Sequence, residues 1–142
     1  MQNQKATKWL VGVLLIICLG QALYIYGSTQ NSPEPTKLVS TTLIGERGAI
    51  YEILSDNGGA TVPLTYHYYL MKVQTDDSTV LVKAKDSRPF LTTKSSGAIQ
   101  EVLPGKVKLK TTDTVFNYSS IGYYKVDDKI NIINFEIEAT MP

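Results

Sequence analysis

The apolar residues divide the chain into two parts with different periodicities. Residues 10–26 are an unbroken uncharged run, LVGVLLIICLGQALYIY, whereas the chain after Lys37 alternates between apolar and polar positions. As a helix this run would rise about 25 Å, enough to cross a thin bilayer core. Alternation with a period of two is typical of half-buried β-strands. The pattern therefore predicts a transmembrane anchor followed by a mainly β domain.

The charges that flank the apolar run predict its orientation. Lys5 and Lys8 precede the run, and the first acidic residue is Glu34. Basic residues are retained on the cytoplasmic side of a membrane. We therefore expect residues 1–9 to be cytoplasmic and the rest of the chain to be exported, with 10–26 in contact with membrane lipid.

The run has two other interpretations, a cleaved signal peptide and a buried core helix. A cleaved signal peptide would need a small-x-small site, and the best match, Gly20-Gln21-Ala22, lies inside the apolar run. A lipoprotein signal would need a small residue before Cys18, where the chain has Ile17. A buried core helix is the third interpretation, but nothing else in the chain resembles a helix that could pack against it.

A short linker and a series of strands follow the anchor. Residues 27–37 lack large apolar side chains and contain Pro33 and Pro35, which is typical of an extended linker. Residues 38–142 would form the exported domain. Strands are predicted at 38–44, 49–54, 61–73, 79–85, 106–110, 114–118, 121–126 and 130–139, separated by turns at 45–48, 55–59, 76–78 and 127–129, with one helical turn at 98–103. Ile130 and Ile132 are out of phase with the apolar positions that follow them, and a bulge near Ile132 would reconcile them.

Strands joined by short turns, with scarcely any helix, predict a small antiparallel β-sandwich or barrel-like domain. The first four predicted strands would form a meander. The expected core residues are Ile53, Val62, Leu64, Tyr66, Leu70, Val80, Val82, Leu109, Ile133, Phe135 and Ile137.

Composition narrows the class of partner and the compartment. Beyond residue 27 the chain has twelve Lys and Arg (fourteen minus Lys5 and Lys8) against thirteen Asp and Glu, a net charge of −1. Without excess positive charge, nucleic acid is a poor partner. The single cysteine, Cys18, lies in the apolar run, so the exported domain has no disulfide. Small eukaryotic secreted domains usually carry disulfides, which favours the bacterial inner membrane and periplasm for this protein.

Residues that could carry catalysis or bind a metal are few. His67 is the only histidine, and no Gly-x-Ser-x-Gly motif supplies a nucleophile for it. One histidine and no exported thiol do not make a zinc site, so we expect no metal and no cofactor. The acidic pairs Asp76-Asp77 and Asp127-Asp128 lie in predicted turns and suit turn roles. The segment 56–59 has only a superficial likeness to a calcium loop.

Aromatic and basic clusters are the candidates for contact with a partner. Exposed tyrosines are good contact residues for a protein, peptide or sugar. Three alternate lysines form a stripe that is either a solvated strand face, a charged edge, or a surface for an acidic partner. The candidate partner-binding residues are Tyr68, Tyr69, Tyr123, Tyr124, Lys106, Lys108 and Lys110.

One segment carries a resemblance to known proteins. A strand at 49–54, the turn Asp56-Asn57-Gly58-Gly59-Ala60-Thr61 and a long strand at 62–73 follow a short amino-terminal span. This layout resembles small single-pass bacterial envelope proteins of unknown function. Members of such families often carry Ser-Pro-Asp-Gly before the first of these strands, where this chain has Gly45-Glu46-Arg47-Gly48. The resemblance implies no catalytic residues.

These observations predict a membrane-anchored, non-enzymatic periplasmic domain that binds another envelope protein. It could be an immunity-type or inhibitor-type protein, or an accessory subunit of an envelope complex. The alternatives are a small envelope hydrolase that uses carboxylates or His67, and a ligand carrier with an enclosed apolar cavity.

Overall fold

The structure is a computed structural model that describes residues 4–28, 34–56 and 63–140. The chain divides into two compact units, residues 1–32 and residues 33–142. The helices and strands are α1 (Gln4–Ser28), β1 (Pro35–Ile44), β2 (Gly48–Ser55), β3 (Thr65–Lys72), α2 (Asp77–Lys85), β4 (Leu91–Thr93), β5 (Ile99–Leu103), β6 (Lys106–Thr111), β7 (Val115–Tyr118), β8 (Ile121–Val126) and β9 (Lys129–Ala139).

The first unit contains helix α1. Within the described residues, one helix is long and apolar enough to cross a membrane, over Ala6–Gly27, and the expected anchor at 10–26 lies inside it. The protein buries none of this apolar window, which gives no support to a buried core helix. The linker expected at 27–37 is shorter at both ends, because α1 continues to Ser28 and β1 begins at Pro35.

Five strands form sheet A, in the order β1-β2-β3-β4-β7, with every neighbouring pair antiparallel. Strands β1, β2 and β3 form a meander, which accounts for three of the four strands in the predicted meander. Strand β2 is buried along almost its whole length. It is buried because both faces of sheet A are covered, one by sheet B and the other by α2.

Four strands form sheet B, in the order β5-β6-β9-β8. The β6–β9 pair is parallel, and the other two pairs are antiparallel. Strand β9 is long enough to use two partners, because residues 129–134 pair with β8 and residues 134–139 pair with β6. The tight turn before β9 has positive φ at Asp127 (47°) and Asp128 (63°), as a two-residue type I′ hairpin requires.

Two apolar cores hold these layers together. The larger core lies between the sheets and includes the stacked rings of Phe90 and Phe135, whose centroids are 3.8 Å apart. The smaller core lies between sheet A and α2 and includes Tyr51, Tyr69 and Val80. The expectation of a mainly β, sandwich-like domain behind an apolar helix is confirmed.

The strand predicted at 79–85 was wrong, because this segment is helix α2. Asp76 caps the helix by accepting a hydrogen bond from the Thr79 N–H at 2.8 Å. Val80 and Ala84, four residues apart, are the buried positions of the helix. Val82 was expected in the core, but it lies on the outer face of the helix and is 63% exposed. Cap and helical spacing therefore outweighed the β-propensity of Thr and Val here.

Two other local predictions were wrong. Residues 99–103 form strand β5 rather than a helical turn. The bulge expected near Ile132 is absent, because β8 and β9 keep a continuous register. Ile130 and Ile132 instead remain on the outer face of sheet B.

The predicted core is largely reproduced. Ile53, Val80, Leu109, Ile133 and Phe135 are buried, and Tyr66, Leu70 and Ile137 are half-buried. Leu64 is 46% exposed and lies just before β3, beyond the last pair of the β2–β3 register, Ser55 with Thr65. Val62 and the predicted turn at 57–59 lie outside the described residues.

Candidate functional site

Three of the four candidate tyrosines are buried, which corrects their assignment as contact residues. The Tyr68 side chain is fully buried between the sheets. Its hydroxyl donates to Glu52 Oε1 at 3.0 Å and accepts from the Ala98 N–H at 3.1 Å. Burial raises the pKa of Tyr68 to about 12, with the Glu52 carboxylate acting in the same direction.

Tyr69 and Tyr124 are buried in different places. Tyr69 lies on the opposite face of sheet A, in the core with α2, where burial raises its pKa. The Tyr124 ring lies on the inner face of β8, and its hydroxyl donates to the Glu46 carbonyl at 3.3 Å. The alternation of a strand puts one tyrosine of each adjacent pair inside, and in β3 both faces are covered. Neither side chain is accessible to a partner in this structure.

The lysine stripe lies on the outer face of sheet B, where each lysine is paired with a glutamate. Lys106 Nζ lies 2.6 Å from Glu136 Oε1, and Lys110 Nζ lies 3.4 Å from Glu138 Oε1. Lys108 Nζ lies 2.7 Å from Glu101 Oε2, and this hydrogen bond raises its pKa. These six side chains form the charged half of the outer face: Lys106, Lys108, Lys110, Glu101, Glu136 and Glu138. The stripe is a set of internal ion pairs rather than a free cationic surface.

Tyr123 is the candidate tyrosine that is accessible, with 71% of its surface exposed. It pairs in register with Ile132, which is 61% exposed. Ile121 and Ile130 are exposed large apolar residues on the same strands and the same face. These four side chains, Ile121, Tyr123, Ile130 and Ile132, form the apolar half of the outer face, in which Lys125 lies opposite Ile130 and Asn134 lies opposite Ile121.

A cleft of about 680 Å³ adjoins the apolar half. It is lined by residues 87–90 before β4, by Leu70, Asn117 and Ser119, and by residues 121–123 of β8. The segment 87–90 is hydrogen-bonded to β7, because Asn117 Nδ2 donates to the Pro89 carbonyl at 3.0 Å. The Phe90 N–H also donates to the Tyr68 carbonyl at 2.9 Å. These two hydrogen bonds attach the segment that contains Pro89 and Phe90 to β7 and β3.

Arg88 gives this cleft its electrostatic character. Of the described residues that line the cleft, Arg88 alone is charged. Within the described part of the chain, its guanidinium forms no ion pair. The other arginine, Arg47, is paired with Asp127 at 2.9 Å. The cleft therefore combines apolar residues with the polar side chains of Ser87, Asn117 and Ser119, and its one charge has no ionic partner among the described residues.

His67 lies on the α2 side of sheet A and is buried. Its Nε2 is 3.0 Å from Thr65 Oγ1, and its Nδ1 is 3.3 Å from Thr92 Oγ1. Burial lowers its pKa, which keeps the ring neutral. Both ring nitrogens are thus occupied by threonine hydroxyls, the arrangement of a satisfied structural histidine rather than of a catalytic triad.

Three of the four remaining acidic candidates, Asp76, Asp127 and Asp128, have structural partners. Asp76 caps α2, and hydrogen bonds from Ser78 and Thr79 lower its pKa. Asp127 pairs with Arg47, and Asp128 pairs with Lys125 at 3.0 Å. No group of three or more His, Cys, Asp or Glu side chains that could hold a metal occurs among residues 4–28, 34–56 and 63–140. Part of the 56–59 segment, compared above with a calcium loop, is not described by the structure.

Sequence reasoning missed Arg88 and three members of the apolar half: Ile121, Ile130 and Ile132. The signal for the isoleucines of β9 was present, because Ile130 and Ile132 break the phase of the buried positions 133, 135 and 137. That break was attributed to a bulge instead of to an exposed apolar surface. Arg88 carried no such signal, since its isolation depends on the fold.

No protein-family model, curated protein or solved structure matches this chain.

Proposed function

We propose that the protein is a membrane-anchored, non-enzymatic protein-binding domain of the bacterial envelope, and that the apolar half of sheet B is its contact surface. The observation that carries the proposal is the clustering of four exposed large apolar side chains on two paired strands. Scattered apolar residues are ordinary on a protein surface, but a contiguous group marks an interaction site.

The composition of the apolar half supports a protein partner. Tyrosine and large aliphatic residues form the core of protein interfaces, while charged residues are depleted there. Tyr123 can supply both an apolar ring and a hydroxyl for a hydrogen bond. The neighbouring ion pairs of the charged half would then form a polar rim.

The flanking charges in the sequence and the apolar helix α1 support placement of the domain on the outer side of the inner membrane. Lys5 and Lys8 lie before the uncharged run at residues 10–26, and the sandwich-like domain follows that run in the chain. An anchor restricts the domain to the membrane surface and raises its local concentration near an envelope partner. This raised local concentration would benefit a protein that neutralises a toxin or hydrolase attacking the cell wall. It would equally benefit an accessory subunit of an envelope complex.

The alternatives gain less support. A hydrolase built on His67 would need a base or acid beside the ring, and the ring contacts Thr65 and Thr92. A carrier would need an enclosed apolar cavity. The cleft beside β8 instead has exposed residues at its rim, including Arg88 and Tyr123.

Photo-crosslinking in the native cells tests the contact surface. A photoreactive phenylalanine analogue replaces Tyr123, and in a matched control it replaces Val82, which is similarly exposed but lies on α2. We expect a discrete protein adduct from position 123 that is missing from position 82. The same adducts from both positions, adducts with lipid alone, or no adduct would contradict the proposal.

A reporter fusion tests the placement separately. A reporter enzyme that works only after export is joined to the carboxyl end, and a cytosol-dependent reporter is joined in a parallel fusion. We expect activity from the first fusion and none from the second. The reverse result would contradict an exported domain whether or not position 123 forms adducts.

A further inference from the structure

We propose that the partner presents an extended acidic peptide segment that adds to β8 as a fifth strand of sheet B, with a carboxylate placed against Arg88. This inference rests on the proposed function and deepens it by naming the recognition mode and the chemistry of the partner. It depends on three features: the free backbone groups of β8, the cleft along that edge, and the unpaired charge in the cleft.

The hairpin turn fixes which backbone groups of β8 are used by β9. A two-residue type I′ turn makes Val126 and Lys129 a hydrogen-bonded pair. Alternation then makes Tyr124–Asn131 the next such pair. The Phe135 N–H donates to the Ser120 carbonyl at 2.8 Å, which continues the same alternation beyond the end of β8.

The other residues of β8 direct their backbone groups away from β9. These residues are Ile121, Tyr123 and Lys125. Ile121 is partly satisfied, because its carbonyl accepts a hydrogen bond from Ser119 Oγ at 2.8 Å. Within the described part of the chain, the N–H groups of Tyr123 and Lys125 have no backbone partner on the open side of β8. An edge with free N–H and C=O groups is a template for an added strand.

The two edges of sheet B differ in their protection against strand addition. Strand β5, at one edge, carries Glu101, which is paired with Lys108. Strand β8, at the other edge, exposes Ile121 and Tyr123, and its one charge, Lys125, is paired with Asp128. Each edge therefore carries one paired charge, but β5 has a register shift against β6 between Ile99 and Glu101, whereas β8 keeps a continuous register with β9. A bulge on an edge strand discourages pairing, and the regular register of β8 leaves this edge receptive.

The cleft provides room for the added strand. Residues 121–123 of β8 form one wall, and residues 87–90 form the opposite wall. The Ser119 N–H, just before β8, donates to the Phe90 carbonyl at 2.7 Å, so the segment 87–90 lies beside the start of β8. Successive side chains of an added strand would point alternately toward the apolar half and toward the cleft, where Leu70 and Phe90 contribute apolar surface.

Arg88 selects an acidic segment. Its guanidinium is the charge in the cleft that has no ionic partner among the described side chains. A carboxylate of an incoming strand would form a charge-assisted hydrogen bond with it. A second copy of this chain fits less well, because β8 itself, Ile-Gly-Tyr-Tyr-Lys-Val, brings no acidic residue to Arg88.

Selection from a random peptide library tests the inference without knowledge of the partner. The full chain in a lipid nanodisc is immobilised, and linear peptides of about nine residues are selected on phage, since strands are usually 3–10 residues long. We expect the enriched peptides to alternate apolar and polar residues and to contain Asp or Glu. No enrichment, or enrichment of peptides without an acidic residue, would overturn the proposal.

N-methylation of the best peptide separates strand addition from side-chain docking. Methyl groups on alternate amides should abolish binding in one register, the one that faces β8, and leave binding within about twofold in the other. Equal binding by both methylated peptides would overturn the proposal. This comparison leaves the protein unaltered, so folding defects do not enter it.

Substitutions in the protein test the same contacts that the methylated peptides test in the ligand. Tyr123→Pro removes the ring and the edge N–H, whereas the control Tyr123→Ala removes the ring alone. We expect Tyr123→Pro to bind at least about tenfold more weakly than Tyr123→Ala, and Arg88→Gln to weaken binding about fivefold, as for a partly exposed charge pair. Equal affinity of the two Tyr123 variants, or an unchanged affinity for Arg88→Gln, would overturn the proposal.

Two further outcomes separate this inference from the function beneath it. A protein adduct at position 123 without any peptide recognition would leave the proposed function standing and refute strand addition. A concentration-dependent dimer in analytical ultracentrifugation that Tyr123→Pro abolishes would assign the edge of β8 to a second copy, and would also refute it.

Discussion

The outer face of sheet B contains two halves built on the same strand, β9, and they differ in how their side chains are satisfied. In the charged half each lysine has a glutamate within 3.4 Å. In the apolar half Ile121, Tyr123, Ile130 and Ile132 are exposed to solvent, and the strand that carries the first two, β8, is an edge of sheet B. The charges of the charged half are already paired within the sheet. Removing the apolar half from water lowers the free energy, so this half is stabilised by contact with a partner.

The difference arises from the length of β9. Residues 134–139 face β6, which brings a lysine opposite each glutamate of β9. Residues 129–134 face β8 alone, and β8 supplies Tyr123 opposite Ile132. Each half is thus decided by which strand lies beside β9, and the two halves can be altered independently.

The largest expected effect is on partner binding. Replacing both Tyr123 and Ile132 by Ser should weaken binding to the crosslinked partner about 100-fold, because central aromatic and aliphatic contacts dominate interface energies. The free energy of unfolding should change little, because both side chains are exposed. Titration calorimetry with the purified partner measures the first quantity and urea denaturation the second.

The matched control for this change lies in the charged half. Replacing Lys108 and Glu101 together by Ser removes an exposed pair on the same sheet and should alter partner affinity by no more than about twofold. If this control weakens binding as much as the apolar change does, the division into two halves is wrong.

The next largest effect is on stability, through the packing of the β8–β9 hairpin against sheet A. A Cβ at Gly48 would lie 2.4 Å from Cζ of the buried Tyr124 ring and 2.8 Å from the Ile44 carbonyl oxygen. We expect Gly48→Ala to lower the free energy of unfolding by about 1–3 kcal/mol through overpacking. Urea denaturation of Gly48→Ala, Tyr124→Leu and the double variant measures the coupling, which should be at least about 0.5 kcal/mol. Additive effects would show that the ring and Gly48 do not compete for space.

A smaller effect concerns His67, which lies away from the outer face. Burial lowers its pKa, so the unfolded chain binds a proton that the folded chain resists. The stability contributed by the neutral ring is fully present above its unfolded pKa of about 6.5 and is lost as the pH falls toward the lowered folded value. Thermal melts between about pH 7.5 and 5 should show falling stability, and His67→Gln should flatten that slope. An identical slope in the variant would assign the pH dependence to other groups.

The smallest effect belongs to the ion pairs of the charged half. Glu136→Lys replaces the partner of Lys106 by a like charge, beside Lys108 in register. The melting temperature should fall by no more than about 4 °C at low salt, because exposed pairs contribute little. About 0.5 M salt should restore most of the difference by screening. A loss that persists at high salt would mean that packing, rather than charge, holds this half together.

Local pattern was sufficient for most of the strands. Strand β8 was predicted with its observed bounds, and β6, β7 and β9 were predicted to within one residue at each end. The failures were α2 and β5, where short segments carried conflicting signals, and β4, which was not predicted. In α2 the cap at Asp76 and the spacing of Val80 and Ala84 outweighed residue propensity. Residues 99–103 form strand β5 because they pair with β6, and the local sequence alone did not indicate a strand there.

The candidate site was less predictable than the fold. Tyr123 and Tyr124 are neighbours with the same chemistry, yet one is exposed and the other buried. Alternation requires the two rings to face opposite ways but does not say which way faces the core. Similarly, the lysines at 106, 108 and 110 were identified on one face, but their glutamate partners come from strands that only the sheet order brings alongside.

The sequence alone determined that an apolar segment precedes a strand-rich domain, because hydrophobic periodicity is a local property that survives any arrangement of the strands. It also determined which side chains share a strand face. The tertiary structure decided which face of each strand is covered, which edge of sheet B is open, and which charge has no ionic partner among the described residues. Those outcomes depend on contacts between residues far apart in the chain: β9 between β6 and β8, Tyr124 against Gly48, and Arg88 across the cleft from β8.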